Sequence, residues 1–76
     1  MTEHMFRFWV ERLRDDGDWH KVPFAASNSV QFCHGYVTAM DDVYPSPPFR
    51  ICKRVTAATF KVLRETKGRA KPHVNH

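Results

Sequence analysis

Asp15, Asp16 and Asp18 are the first residues that could do chemistry, because closely spaced carboxylates are how a calcium loop begins. Such a loop needs a bidentate glutamate at its twelfth position, and none follows here. The triplet reads more simply as a solvated turn around Gly17, which is free to take a positive φ. Five histidines are present, but there is no His-Glu-x-x-His and no Cys-x-x-Cys, so a zinc site would need scattered ligands. Cys33, His34 and Cys52 could meet between a helix and a sheet, yet the helical rotation turns His34 toward solvent. Cys33 and His34 make no nucleophile–base pair either, since neighbours in a helix point about 100° apart. The three glycines stand far apart, which excludes a phosphate-cradling loop. These residues argue against an enzyme, a metal and any other cofactor.

The element that positions them is the stretch Asn28 to Tyr44. At about 100° per residue, Val30, Phe32, Cys33, Tyr36, Val37, Ala39, Met40, Val43 and Tyr44 share one half of the helical wheel. Gln31, His34, Gly35, Thr38, Asp41 and Asp42 occupy the other half. An apolar half-circle of this kind suits a helix lying on a sheet. Asn28 is the expected N-cap, with Gln31 reaching back as in a capping box, and Pro45 ends the helix.

Strands flank this helix on both sides. Met5 to Arg14 alternates with a period of two, the Asp15–Asp18 turn reverses it, and Trp19 to Phe24 returns. Pro23 marks the second strand as an edge strand. After the helix, Tyr44-Pro45-Ser46-Pro47-Pro48 reads as a stiff connector rather than a proline-rich ligand. Phe49 to Val55 and Thr59 to Glu65 form a second hairpin across Thr56-Ala57-Ala58. The spacing therefore predicts an α+β fold of ββαββ order, a four-stranded antiparallel sheet with one helix on one face. Residues 1–4 are expected to be a flexible N-terminus, 5–65 a single domain, and 66–76 a disordered basic tail.

Seventy-six residues are near the lower limit for a chain that folds on its own core. An apolar share of 42%, with ten aromatics, is ample for one. No secretory signal and no run of membrane-spanning length is visible. Two cysteines are too few for a disulfide framework and suggest a reducing cytoplasm. Charge is unevenly spread. Residues 1–48 carry four basic and seven acidic side chains, residues 49–76 eight and one, and the whole chain has net charge +4. Such asymmetry points to a basic interaction surface or tail.

Alternation assigns the two faces of the sheet. Phe6, Phe8, Val10, Val22, Phe24, Phe49, Ile51, Phe60 and Val62 are expected under the helix. Arg7, Trp9, Glu11, Leu13, Trp19, Lys21, Arg50, Arg54, Lys61 and Leu63 are expected on a wet far face, as antiparallel sheets allow. The candidate partner-binding residues are Arg7, Trp9, Trp19, Lys21, Arg50, Arg54 and Lys61, an amphipathic set rich in interface residue types. Arg50 and Arg54 alternate outward and are expected to be dispensable to the core. A secondary candidate surface is His34, Gly35, Thr38, Asp41 and Asp42 on the helix. There Gly35 weakens the helix interior, and two aspartates oppose the macrodipole unless they face Arg50 or Lys53.

The aromatic first strand, the Asp-Gly turn, the Trp19 strand, Tyr44-Pro45 and Phe49-Arg50-Ile51 together resemble small bacteriophage early or host-takeover proteins of ββαββ layout. The resemblance spans residues 5 to about 65 and carries over no site residue. It implies a non-catalytic protein in the host cytoplasm that binds and inhibits or redirects a host complex. RNA polymerase is the first partner it suggests, and a CRISPR effector the second. The alternative is direct nucleic-acid binding, with Trp9 or Trp19 as stacking platforms and the basic tail as a phosphate clamp. Glu11 on the same face and the lack of an RNP-type aromatic motif count against it.

Overall fold

The first hairpin is set by its turn. The computed structural model describes residues 6–43 and 45–69, and in it β1 (Phe8–Leu13) runs antiparallel to β2 (Trp19–Ser27). Gly17 takes φ +84°, its amide bonds to the Arg14 carbonyl at 2.9 Å, and the Arg14 amide bonds to Asp18 at 3.0 Å. The Asp16 carboxylate accepts the Asp18 amide at 2.8 Å, an Asx turn that explains the choice of aspartate. The carboxylates of the turn thus serve its geometry.

The helix α1 (Val30–Asp41) follows, then β3 (Phe49–Arg54) and β4 (Phe60–Glu65). All four strands form one antiparallel sheet in the order β2-β1-β3-β4, with α1 lying across β2, β1 and β3. The fold is α+β, in the ββαββ order that the sequence spacing predicts, and β2 is an edge strand as Pro23 indicates. The core is small. Val10, Ala25, Cys33, Val37, Phe49 and Ile51 are fully shielded, with Phe8, Val22, Val30 and Tyr36 packed around them. Each such aliphatic or aromatic side chain contributes about 1.5–3 kcal/mol on burial.

The helix begins later than its capping signal suggests. Ser29 is the N-cap, without a side-chain cap bond. Asn28, expected in that role, instead accepts the Arg7 amide through Oδ1 at 3.0 Å and ties the helix entry to the start of β1. The apolar half-wheel is also wider than the seam it seals. Cys33 and Val37 are buried, while Phe32, Ala39, Met40 and Val43 are exposed. His34 turns inward rather than to solvent and is half-buried beside Arg64.

Three expected core residues lie elsewhere. Between the pairs Trp9–Ala26 and Glu11–Lys21, β1 has only Val10 while β2 has Val22 to Ala25, so β2 bulges. Pro23 has no amide to give the ladder, and the chain escapes it there. Phe24 at this bulge has φ 65° and is 96% exposed, far from the core position that alternation gave it. Phe60 pairs with Arg54 and Val62 with Cys52, which puts both on the far face. Lys61, expected on the far face, pairs with Lys53 and shares the helix side with Phe8, Lys53's partner on β1. A bulge at Leu63, between the pairs Cys52–Val62 and Ile51–Arg64, then resets the alternation so that Arg64 faces the helix.

The expected free tail is docked over its first four residues. Thr66 donates its amide to the Phe49 carbonyl at 2.8 Å and accepts the Phe49 amide at 2.9 Å. Ser46 and Arg69 exchange backbone bonds of 3.0 and 2.8 Å, and Arg69 reaches Asp41 and Asp42 at 3.7 Å. Gly68 permits this approach, because a Cβ there would stand 2.7 Å from the Ser46 carbonyl oxygen. The remainder of that tail, the N-terminal segment 1–4 and Tyr44 lie outside the described residues.

Candidate partner-binding face

The sheet face opposite the helix is built around Glu11, which is 7% exposed. One carboxylate oxygen accepts the Trp9 indole N–H at 2.9 Å, and the other accepts Arg50 Nε at 2.7 Å. β1 supplies Trp9 and Glu11, β2 Trp19 and Lys21, and β3 Arg50, Cys52 and Arg54. Antiparallel pairing makes these residues neighbours, since Glu11 stands opposite Lys21 on one side and Arg50 on the other.

Over this layer the cations lie on rings. The Arg50 guanidinium sits 4.5 Å from the Trp19 ring centre and 5.5 Å from that of Phe60. Arg54 and Lys21 both cover Trp9, at 5.1 and 4.8 Å. Trp9 and Phe60 meet edge to face at 5.6 Å. Each such cation–π contact is worth about 0.5–2 kcal/mol, more as water is excluded. The far face is therefore a thin second layer, shielded at its base, where Trp9 is only 5% exposed, and open to solvent at its outer members, with Phe60 44% exposed.

Of the seven residues singled out by sequence, Trp9, Trp19, Lys21, Arg50 and Arg54 come together. Lys61 is on the opposite face. Arg7 precedes β1 and stands over Phe8 at 5.9 Å, outside the cluster. Arg50 is not dispensable, because it is the partner of a shielded carboxylate. Sequence reasoning missed Phe60 as a member and treated Glu11 as an intruder. The hairpin offers a signal for Phe60, since closing on Arg54 and Phe60 puts both residues on one face.

The secondary candidate surface is largely engaged within the chain. Arg64 lies 3.2 Å from His34 Nδ1 and donates to Thr38 Oγ1 at 3.4 Å. Asp41 and Asp42 meet Arg69, not Arg50 or Lys53, and this cation offsets their conflict with the helix dipole. Gly35 alone has open space beside it.

The cysteines are held apart. Cys33 belongs to the core beneath the helix, and Cys52 points to the opposite face of β3 under the cation layer. Burial, then the Glu11 carboxylate, pushes the Cys52 thiol up to about 12, and burial raises Cys33 as well. Neither thiol is a ready nucleophile at neutral pH. Among the described residues, no three His, Cys, Asp or Glu side chains group as metal ligands, and no helix is long and apolar enough to cross a membrane.

No family model matches the chain, and neither a curated protein nor a solved structure matches it. Its function is read from its own geometry.

Proposed function

We propose that this chain is a non-catalytic binding protein that docks on a larger macromolecular complex through the sheet face of Trp19, Lys21, Arg50, Arg54 and Phe60. One observation carries the reading: among the described residues the sheet has a helix on one face only, while three cations lie over three aromatic rings on the other. Arginine and tryptophan are the residue types that dominate protein interfaces, and their mutual stacking fixes them before a partner arrives. Arg50 directs its edge at Glu11, and Arg54 makes only long bonds to the Phe6 and Ala57 carbonyls. Arg54 and the exposed Lys21 therefore carry the positive charge to which an acidic protein surface is the natural complement. Host RNA polymerase is the first partner to test and a CRISPR effector the second, on the strength of the resemblance to phage host-takeover proteins.

Direct nucleic-acid binding fits this face less well. A stacking platform needs open rings, and Trp9 and Trp19 lie under their own cations. Capture from bacterial lysate with and without nuclease separates the two readings. Docking on a protein survives nuclease, whereas binding carried by nucleic acid is lost with it.

A further inference from the structure

A second feature lies away from this face. Between the first hairpin turn, the proline connector and the docked segment 66–69 lies a cleft of about 670 Å³. Arg12, Arg14, Lys67 and Arg69 line it, converging from parts of the chain far apart in sequence. Arg12 lies near the end of β1 and Arg14 just beyond it, at the entry to the hairpin turn. Among the described residues, neither Arg12 nor Lys67 has a side-chain hydrogen bond or ion pair, and Arg14 acts on Asp16 only through space. Arg69 is fixed in place by Asp41 and Asp42.

We propose that this cleft binds a small phosphorylated ligand whose phosphate dianion is held by Arg12, Arg14 and Lys67. Its volume falls within the range of about 300–1,000 Å³ usual for small-molecule sites. Arg69 is paired with Asp41 and Asp42, so Arg12, Arg14 and Lys67 are the cations the cleft offers an anion, against Asp15 and Asp16. Asp16 is already occupied by the Asp18 amide and His20 at 2.8 Å each, so its carboxylate is turned to the hairpin. Guanidinium forks match phosphate oxygens in pairs, which favours phosphate over a compact halide.

The wall of the cleft is closely built. Ser46 is 7% exposed, and its hydroxyl has no hydrogen-bond partner among the described residues. A shielded, unpaired hydroxyl is a cost within this wall. The wall is also specified by sequence, since only glycine fits at position 68, with φ +75° and Ser46, Pro47 and Pro48 backbone atoms within 3.0 Å of a would-be Cβ. This site does not depend on the docking face.

Titration of the full chain with inorganic phosphate at fixed ionic strength, followed by backbone amide shifts, tests the proposal. Saturable shifts at Arg14, Ser46, Lys67 and Gly68 are expected. Arg12→Gln with Arg14→Gln should weaken that binding at least tenfold and leave the thermal transition in place, because both side chains are exposed. Lys53→Gln with Lys61→Gln removes the same charge elsewhere and should leave it unchanged. A single-stranded oligonucleotide forms the second arm. Oligonucleotide binding at the cleft without saturable phosphate binding would overturn the proposal, as would shifts that never saturate or that fall equally in both double variants.

Discussion

Glu11 and Arg50 show how one residue pair can hold a surface together. Each is shielded enough that the other is its main counter-charge, and Glu11 also anchors the Trp9 indole. Breaking such a pair strands a charge and costs about 3–5 kcal/mol. Arg50→Glu should therefore unfold the chain or lower its Tm steeply, at roughly 4–8 °C per kcal/mol for a domain of this size. An unchanged Tm in that variant would show that the pair carries no such weight. Phe24 behaves oppositely. Its backbone is in the left-handed region and its ring is in solvent, so Phe24→Asn loses no packing and relieves strain. Chemical denaturation should find that variant more stable, by up to about 1 kcal/mol. The thiols give a pH dependence. In the folded chain Cys52 holds its proton to about 12, whereas the unfolded chain releases it near the ordinary value of 9.0. The unfolded state therefore binds fewer protons above pH 9, and stability must fall as pH rises from 9 toward 12. Melting curves over that window should fall less steeply for Cys52→Ala, with Cys33 contributing in the same sense.

At the scale of elements, what the sequence made legible depended on how far each signal reaches. The two hairpins, the helix between them and the edge position of β2 rest on local marks such as Gly17, Pro23 and a 3.6-residue period. The faces of β1, β3 and the start of β2 also followed from alternation, which placed five of the seven candidate residues together. The faces of β4 did not, because apolar character was taken as a sign of the core. Phe60 and Val62 instead belong to the second apolar layer around Trp9 and Cys52, and register with Arg54 decides this rather than hydrophobicity. Leu63 as an extra residue could not be foreseen from any local rule. The same limit applies to Asn28 and Thr66, whose partners Arg7 and Phe49 lie 21 and 17 positions away. The β4 register has its own check. Lys53 and Lys61 stand directly opposite each other, a repulsive pair worth roughly 0.2–1 kcal/mol. Lys61→Glu should stabilise the fold by about that amount in denaturant titrations. A loss of stability would mean that the strand pairs differently.

The whole molecule divides its duties between two faces. One side of the sheet is closed by a short helix over a small core, which leaves little stability to spare in a chain of 76 residues. The other side holds its cations over aromatic rings, and the docked segment 66–69 brings further positive charge to the end of the sheet. In the docking we propose, the net charge of +4 supplies long-range attraction to an acidic partner and the face sets where contact is made. The direct test compares two double charge reversals of equal size, Lys21→Glu with Arg54→Glu and Lys53→Glu with Lys61→Glu, after the Tm of each is measured. Each is assayed for binding to the complex that the wild-type chain captures from nuclease-treated bacterial lysate, identified and reconstituted from purified parts. Loss of binding in the first variant, with binding kept in the second, is the expected result. Equal binding by both variants, or no nuclease-resistant capture by the wild-type chain, would contradict docking through the sheet face.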